Sequence, residues 1–293
     1  MMGPQTVLMP LPQSLPQSMT QTMARTLRHA RLLPCLLLAL LVFALAGCAR
    51  STAPSGNREV RSTANDAGDP QRRAQVRMEL AGLYLGRGQL DTALDEVRQA
   101  LEARPDLAEA HGLRALILAS MGDAAAADQS FRRAIQLAPG DGGALHNRAW
   151  FLCQQRRFAE SEAQFEAALA LPQYRDSVRT LLALGVCQAR AGRMPQAERS
   201  LTRSYELDPA NPVTAFNLSE VLLQRGELER ARFLVRRVNG VVEQVSAQSL
   251  WLAARIEKRL GNADAVQDIG AQLRQRFPQA PETQRYERGS FDD

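Results

Sequence analysis

Aromatic residues are scarce, 5% of the 293-residue chain, and Lys258 is the only lysine. Few rings and abundant alanine suit close-packed helices better than sheets, whose strands favour aromatic and β-branched side chains. The three histidines and four cysteines form no metal-spaced cluster, and neither a phosphate loop nor a nucleophile elbow occurs. Acid pairs such as Glu160/Glu162 and Asp95/Glu96 fall on ordinary solvated helix faces. Without a positioned nucleophile or opposed carboxylates, the sequence offers no catalytic residue, metal site, cofactor or small-molecule substrate. Basic-aromatic interleaving is missing too. The net charge is +5, but Arg25, Arg28 and Arg31 stand in the first 47 residues without an acid, leaving 33 basic and 31 acidic residues beyond. That near balance excludes a nucleic-acid arm. What remains, 45% hydrophobic and 23% charged, is enough to bury a core and argues against a disordered chain.

The three arginines precede an apolar run, Leu32 to Ala46, which is too short to span a bilayer comfortably. A basic region, a short apolar stretch and small residues before a cut are the parts of a secretory signal, assigned to residues 1–47. Leu45-Ala46-Gly47-Cys48 resembles the bacterial lipobox. That resemblance implies a diacylglycerol on the Cys48 thiol, cleavage before it and acylation of the new amine. Several acyl chains would anchor the protein stably, each buried methylene adding ~0.8 kcal/mol. Ala49 follows, with no aspartate to retain the product in the inner membrane, so the expected address is the periplasmic face of the outer membrane. Residues 48–72 are polar and small, without apolar period, and read as a lipidated flexible tether.

A period of about 34 residues governs the rest. Gly88, Gly122, Gly192, Gly226 and Gly261 each stand between two amphipathic stretches, with Arg156 in the equivalent third place. Seven residues before each turn stands Ala81, Ala115, Ala149, Gly185, Ser219 or Ala254; five after it stands Ala93, Ala127, Ser161, Ala197, Ala231 or Val266. Prolines close repeats at Pro105, Pro139, Pro172, Pro209 and Pro278, while none closes the fifth. The pattern predicts helix, tight turn and antiparallel helix, with small residues letting the two backbones approach. It resembles the tetratricopeptide repeat. The expected fold is all-α: a right-handed superhelical solenoid of six helix-turn-helix repeats over residues 73–277, followed by a C-terminal tail, 278–293.

In such a solenoid the first helices line the concave surface, so their outward positions are the default peptide groove. Counting from the small positions gives His146, Trp150, Leu182, Val186, Phe216, Leu223, Trp251 and Arg255 as expected protein-binding residues. The middle is apolar and the far end basic, which suits an amphipathic segment with acidic flanks. The alternative is that Trp150 and Phe216 seal repeat against repeat. For His111 and His146 a packing or surface role comes first. Cys153 and Cys187 hold nearly corresponding places in repeats three and four; they are either bridged or two separately buried thiols.

Further stretches carry a narrower resemblance. Leu145-His146-Asn147-Arg148-Ala149-Trp150-Phe151-Leu152 with Gln155-Arg156-Arg157-Phe158, the longer link around Leu171-Pro172-Gln173-Tyr174-Arg175, Ser249-Leu250-Trp251-Leu252, and Leu273-Arg274-Gln275-Arg276-Phe277-Pro278 are similar to the PilF/PilW family of type IV pilus biogenesis lipoproteins. The resemblance implies a pilotin-like scaffold that binds outer-membrane secretin subunits and helps them localise and multimerise. A periplasmic adaptor for peptidoglycan enzymes or outer-membrane protein assembly is the alternative.

Overall fold

The computed structural model describes residues 69–291, and among these the chain forms thirteen α-helices and no strand. Six helix pairs follow one another: α1 (Pro70–Gly86) with α2 (Leu90–Ala103), α3 (Ala108–Ser120) with α4 (Ala124–Leu137), and α5 (Gly142–Gln154) with α6 (Phe158–Leu169). Then come α7 (Ser177–Arg190) with α8 (Met194–Leu207), α9 (Pro212–Gln224) with α10 (Leu228–Asn239), and α11 (Ala247–Arg259) with α12 (Ala263–Arg276). Each second helix also packs on the first helix of the next pair, which makes the array a solenoid.

One local device sets every pair. The five turn glycines have φ between 71° and 85°, and Arg156 takes the same left-handed conformation at 59°. In all six turns the next residue's N–H donates to the carbonyl five places earlier, from Gln89 to Tyr84 through Asn262 to Glu257, at 2.8–3.0 Å. That bond satisfies a carbonyl the first helix would otherwise leave open. Beyond the turn, the small residues meet. Ala81, Ala115, Ala149, Ala93, Ala127, Ala197 and Ala231 are all inaccessible to solvent. A methyl group added at Gly185 would come within 2.5 Å of Leu201 Cγ and 3.2 Å of the Ala197 carbonyl. Serine replaces alanine at this seam twice, and each time its hydroxyl donates to the facing helix: Ser161 to the Ala149 carbonyl at 2.7 Å, Ser219 to the Ala231 carbonyl at 2.9 Å. A buried hydroxyl needs such a partner.

Both atypical links have a physical reason. The longer link after α6 places the Tyr174 ring against Gly142, where a side chain would collide with it, and Tyr174 shares a hydrogen bond with Thr180. The link without proline after α10 makes a 3₁₀ turn, Val242–Gln244, and enters α11 through a reciprocal Ser246/Ser249 cap.

The expected boundaries shift at both ends. α1 starts at Pro70, three residues before position 73, because Asp69 caps it and proline is pre-set for the first helical position. The stretch 278–293 is not merely a tail, since α13 (Pro281–Arg288) packs on α11 and α12. Tyr286 from this helix fills the space left open at Gly270, the position where the sixth repeat departs from pattern.

The core comes in two large apolar clusters. One spans repeats one to three, around Val97, Ile117, Phe131 and Leu152; the other spans repeats four to six, around Leu201, Val221, Leu222 and Ile256. A smaller cluster joins them at the seam of repeats three and four, through Ala149, Phe165, Ala183, Leu184 and the two cysteines. Cys153 on α5 and Cys187 on α7 are disulfide-bonded there, with Cα atoms 5.8 Å apart.

Candidate binding surfaces of the solenoid

The first helices of inner repeats are enclosed on more sides than their sequence pattern implies. α9 buries ten consecutive residues, Thr214 to Leu223. Phe216 and Leu223 therefore belong to the core cluster of repeats four to six, as do Leu182 and Val186 on α7. These four residues are not outward-facing, which corrects the expected groove. Each first helix meets its own second helix, the preceding second helix and the neighbouring first helices. Its apolar positions are consumed by those contacts.

His146 is likewise interior. Its Nδ1 lies 2.8 Å from Thr180 Oγ1, whose other neighbour is the Tyr174 hydroxyl at 2.7 Å, and its ring meets Phe165 edge-on. Burial first, then the positive charge of Arg179, pushes His146 down to about 3, so it is neutral at ordinary pH. A neutral, enclosed imidazole hydrogen-bonded to a hydroxyl is a packing element. His111 is half-buried, with Nε2 3.0 Å from the Pro105 carbonyl and Nδ1 enclosed without a hydrogen-bond partner. Among the described residues, no three His, Cys, Asp or Glu side chains gather as metal ligands would.

Three of the expected residues have more particular positions. Trp150 is half-buried and packs against both the seam cluster and the cluster of repeats four to six. Trp251 is 5% exposed because Phe291 lies on it, ring centroids 5.0 Å apart. Arg255 is tied to the buried carboxylate of Glu220 by contacts of 3.0 and 3.3 Å. The exposed positions of the first helices from α3 to α11 are instead polar and mostly basic, including Arg179, Arg190 and Lys258. Cys48 lies outside the described residues.

Charge between repeats follows its own register. Buried Asp128 on α4 accepts from Arg148 and Arg157 of the next repeat at 2.8–3.2 Å. Burial, the largest influence, pushes its carboxyl up; the hydrogen bonds from Arg157 and Arg148 together outweigh it and hold the group low. Glu162 pairs with Arg193, and Glu198 with Arg225 and Arg230, so the arrangement repeats along the array. At the fifth repeat the sign inverts: Arg232 and Arg236 on α10 face buried Glu257 on α11.

The large apolar side chains that do reach solvent lie elsewhere. Val76 and Leu83 on α1 are one heptad apart, 49% and 58% exposed. Phe233 on α10 is 59% exposed, with Arg237 set between its ring and that of Tyr205 at 6.0 and 5.9 Å. The sequence signal for Phe233 was an aromatic on the solvent phase of a strongly amphipathic helix, and it was missed.

Comparison with known proteins fits this architecture. Two family models described as tetratricopeptide repeat match residues 78–142 and 147–212, and residues 188–250. The type IV pilus assembly protein PilF of Pseudomonas aeruginosa is 28% identical over 255 residues, covering 86% of this chain and 96% of that protein. The crystal structure of PilW, described as a widely conserved type IV pilus biogenesis factor, superposes with a TM-score of 0.67 at 32% identity, over 72% of this chain and 96% of PilW. A solved structure of Pseudomonas aeruginosa PilF shares the fold, with a TM-score of 0.65 at 24% identity over 75% of this chain and 99% of that one. With its repeats, its turns and its likeness along nearly the full length of both relatives, the chain belongs to the tetratricopeptide-repeat proteins of type IV pilus biogenesis related to PilF and PilW.

Proposed function

We propose that this protein is a pilotin-like scaffold: an outer-membrane lipoprotein, anchored through Cys48 on the periplasmic face, that binds secretin subunits and promotes their localisation and multimerisation in type IV pilus biogenesis. The observation that carries the reading is the likeness to PilF and PilW, which extends through the whole repeat array. The lipobox-like Leu45-Ala46-Gly47-Cys48 supplies the anchor. An acylated Cys48 confines the solenoid to the membrane surface and so raises its effective concentration near pore subunits. The repeats then act as a rigid holder, because seams built from alanine and buried ion pairs leave little room for rearrangement. Exposed arginines on the first helices, Arg179 and Arg190, steer an acidic partner segment. No catalytic step enters this reading.

The test is a deletion strain complemented with variants. Loss of heat-stable secretin multimers, with peptidoglycan turnover intact, is the expected result. Normal multimers with altered turnover would assign the protein to cell-wall enzymes instead. Cys48→Ser should leave the precursor unprocessed or mislocalised, as read by fractionation. A mutant still processed and tightly bound to the outer membrane would remove the lipoprotein reading.

A further inference from the structure

The last first helix among the described residues, α11, carries Trp251 on a face that no further helix pair among them covers. The chain covers it by returning. α13 ends at Gly289 in the left-handed conformation, φ 69°, and the next two residues bring Phe291 back over α11. Phe291 lies on Trp251 at 5.0 Å and 31°, meets the edge of Tyr286 at 6.0 Å, and has Lys258 Nζ 5.6 Å from its centroid. Three groups from three directions thus hold one ring: an indole face, a phenol edge and an ammonium.

The walls of this receptacle are fixed independently of its occupant. Trp251 is anchored on α11, and Tyr286 sits in the gap at Gly270 with Arg274 stacked on its ring at 5.3 Å. The occupant is less enclosed than Trp251. Phe291 belongs to neither large core cluster, is only partly buried, and follows a glycine turn closed by Ser290 N–H to the Arg285 carbonyl at 3.0 Å. Charge defines the flank. Arg255 is committed to Glu220 and Arg259 to the Leu223 carbonyl, whereas Lys258 has no carboxylate among the described residues. In sequence, Phe291 is followed by Asp292 and Asp293. An aromatic ring next to acids is the chemistry this cation and these ring faces select.

We propose that Trp251, Tyr286 and Lys258 form a receptor for an aromatic side chain flanked by acidic residues in a partner protein, and that Phe291 fills it until the partner displaces it. A tethered occupant lowers the apparent affinity for a partner by the fraction of time the receptor stands open. The inference does not depend on the partner being a secretin.

The probe is the acetylated, amidated peptide Arg-Gly-Ser-Phe-Asp-Asp, the sequence of residues 288–293, titrated into the full chain. Tryptophan fluorescence in a Trp150→Phe background reports on Trp251. Phe291→Ala should bind the peptide on the order of tenfold more tightly than the parent, as expected if the receptor is open about a tenth of the time. Adding Lys258→Glu should abolish that gain, and a peptide with alanine for phenylalanine should not bind. Equal affinity of parent and Phe291→Ala, or of the phenylalanine and alanine peptides, would make Phe291 a plain end cap and overturn the proposal. A second readout needs no substitution at Phe291. In the wild-type chain with fluorine-labelled phenylalanine, saturating peptide should move one resonance to the solvent-exposed position, and a spectrum unchanged at saturation refutes displacement. Concentration-dependent dimers of the wild type that the peptide dissolves would assign the receptor to a second copy instead of a partner.

Discussion

His146 has an enclosed imidazole held 2.8 Å from Thr180, and burial and Arg179 push it down to about 3. Unfolded, the same group titrates near ~6.5. Between those values the unfolded chain binds a proton that the folded chain refuses, so stability rises with pH through this window and is lost as pH falls below ~6.5. The limiting slope for one group is about 1.4 kcal/mol per pH unit. Urea midpoints at pH 7, 6 and 5 should therefore decline for the wild type and decline much less for His146→Gln. Asp128, held low by Arg157 and Arg148, acts in the same direction at lower pH: its stabilisation is intact at these pH values and is lost as pH falls from the ordinary carboxylate range through the lowered folded value. Parallel decline in both proteins would show that His146 is not the group responsible. The sequence could place His146 in a first helix. It could not reveal the Thr180 hydroxyl 34 residues away, because that meeting depends on two extra residues in the link before α7.

Turns and seams were the legible elements, because their requirements are local and steric. A left-handed turn residue, small residues where backbones approach and a proline stop each leave a residue type at a fixed place. Arg156 was legible as the odd member, and it adopts the left-handed φ of 59° that glycine supplies elsewhere. Avoiding a left-handed side chain is worth ~1–2 kcal/mol, while glycine costs up to ~1 kcal/mol in unfolded-chain entropy. Arg156→Gly should thus raise stability by up to ~1 kcal/mol, seen as a higher denaturant midpoint at unchanged slope; a lower midpoint would mean that the side chain compensates. Gly185→Ala should act the other way. Alanine is the better helix former by up to ~1 kcal/mol, but its methyl meets Leu201 Cγ at 2.5 Å in a fully buried seam. Overpacking of that kind costs ~1–3 kcal/mol and should win, with Leu201→Ala restoring part of the loss in the double mutant. Outward and inward faces were not legible. The apolar positions of α7 and α9 look alike whether they meet a peptide or neighbouring helices, and Leu182, Val186, Phe216 and Leu223 are buried in the core cluster of repeats four to six. α13 escaped because no turn glycine precedes it and, among the described residues, it is not half of a helix pair.

At the scale of the whole molecule, a solenoid has no contacts beyond its neighbours, so its unity depends on each seam in turn. Here the apolar core falls into two clusters, and the seam between repeats three and four joins them through a small group of residues that includes Cys153 and Cys187. The bridge closes a loop across 34 residues, the separation of its two cysteines. In the chain-entropy description such a crosslink restricts the unfolded state by ~3–4 kcal/mol. Its position adds a second effect, because opening this seam would let repeats one to three and repeats four to six unfold separately. Reduction, or Cys153→Ser, should therefore do two things. It should lower thermal stability under oxidising conditions, with much less difference between mutant and wild type in reductant. It should also broaden the denaturant transition and raise amide exchange first in α5 to α8, as the two halves cease to unfold together. Loss of stability spread evenly over all helices, with a transition as sharp as before, would mean that the bridge acts on the unfolded chain alone. Two free thiols in the native protein, labelled after denaturation without reductant, would show that no bridge forms and that packing alone holds the seam.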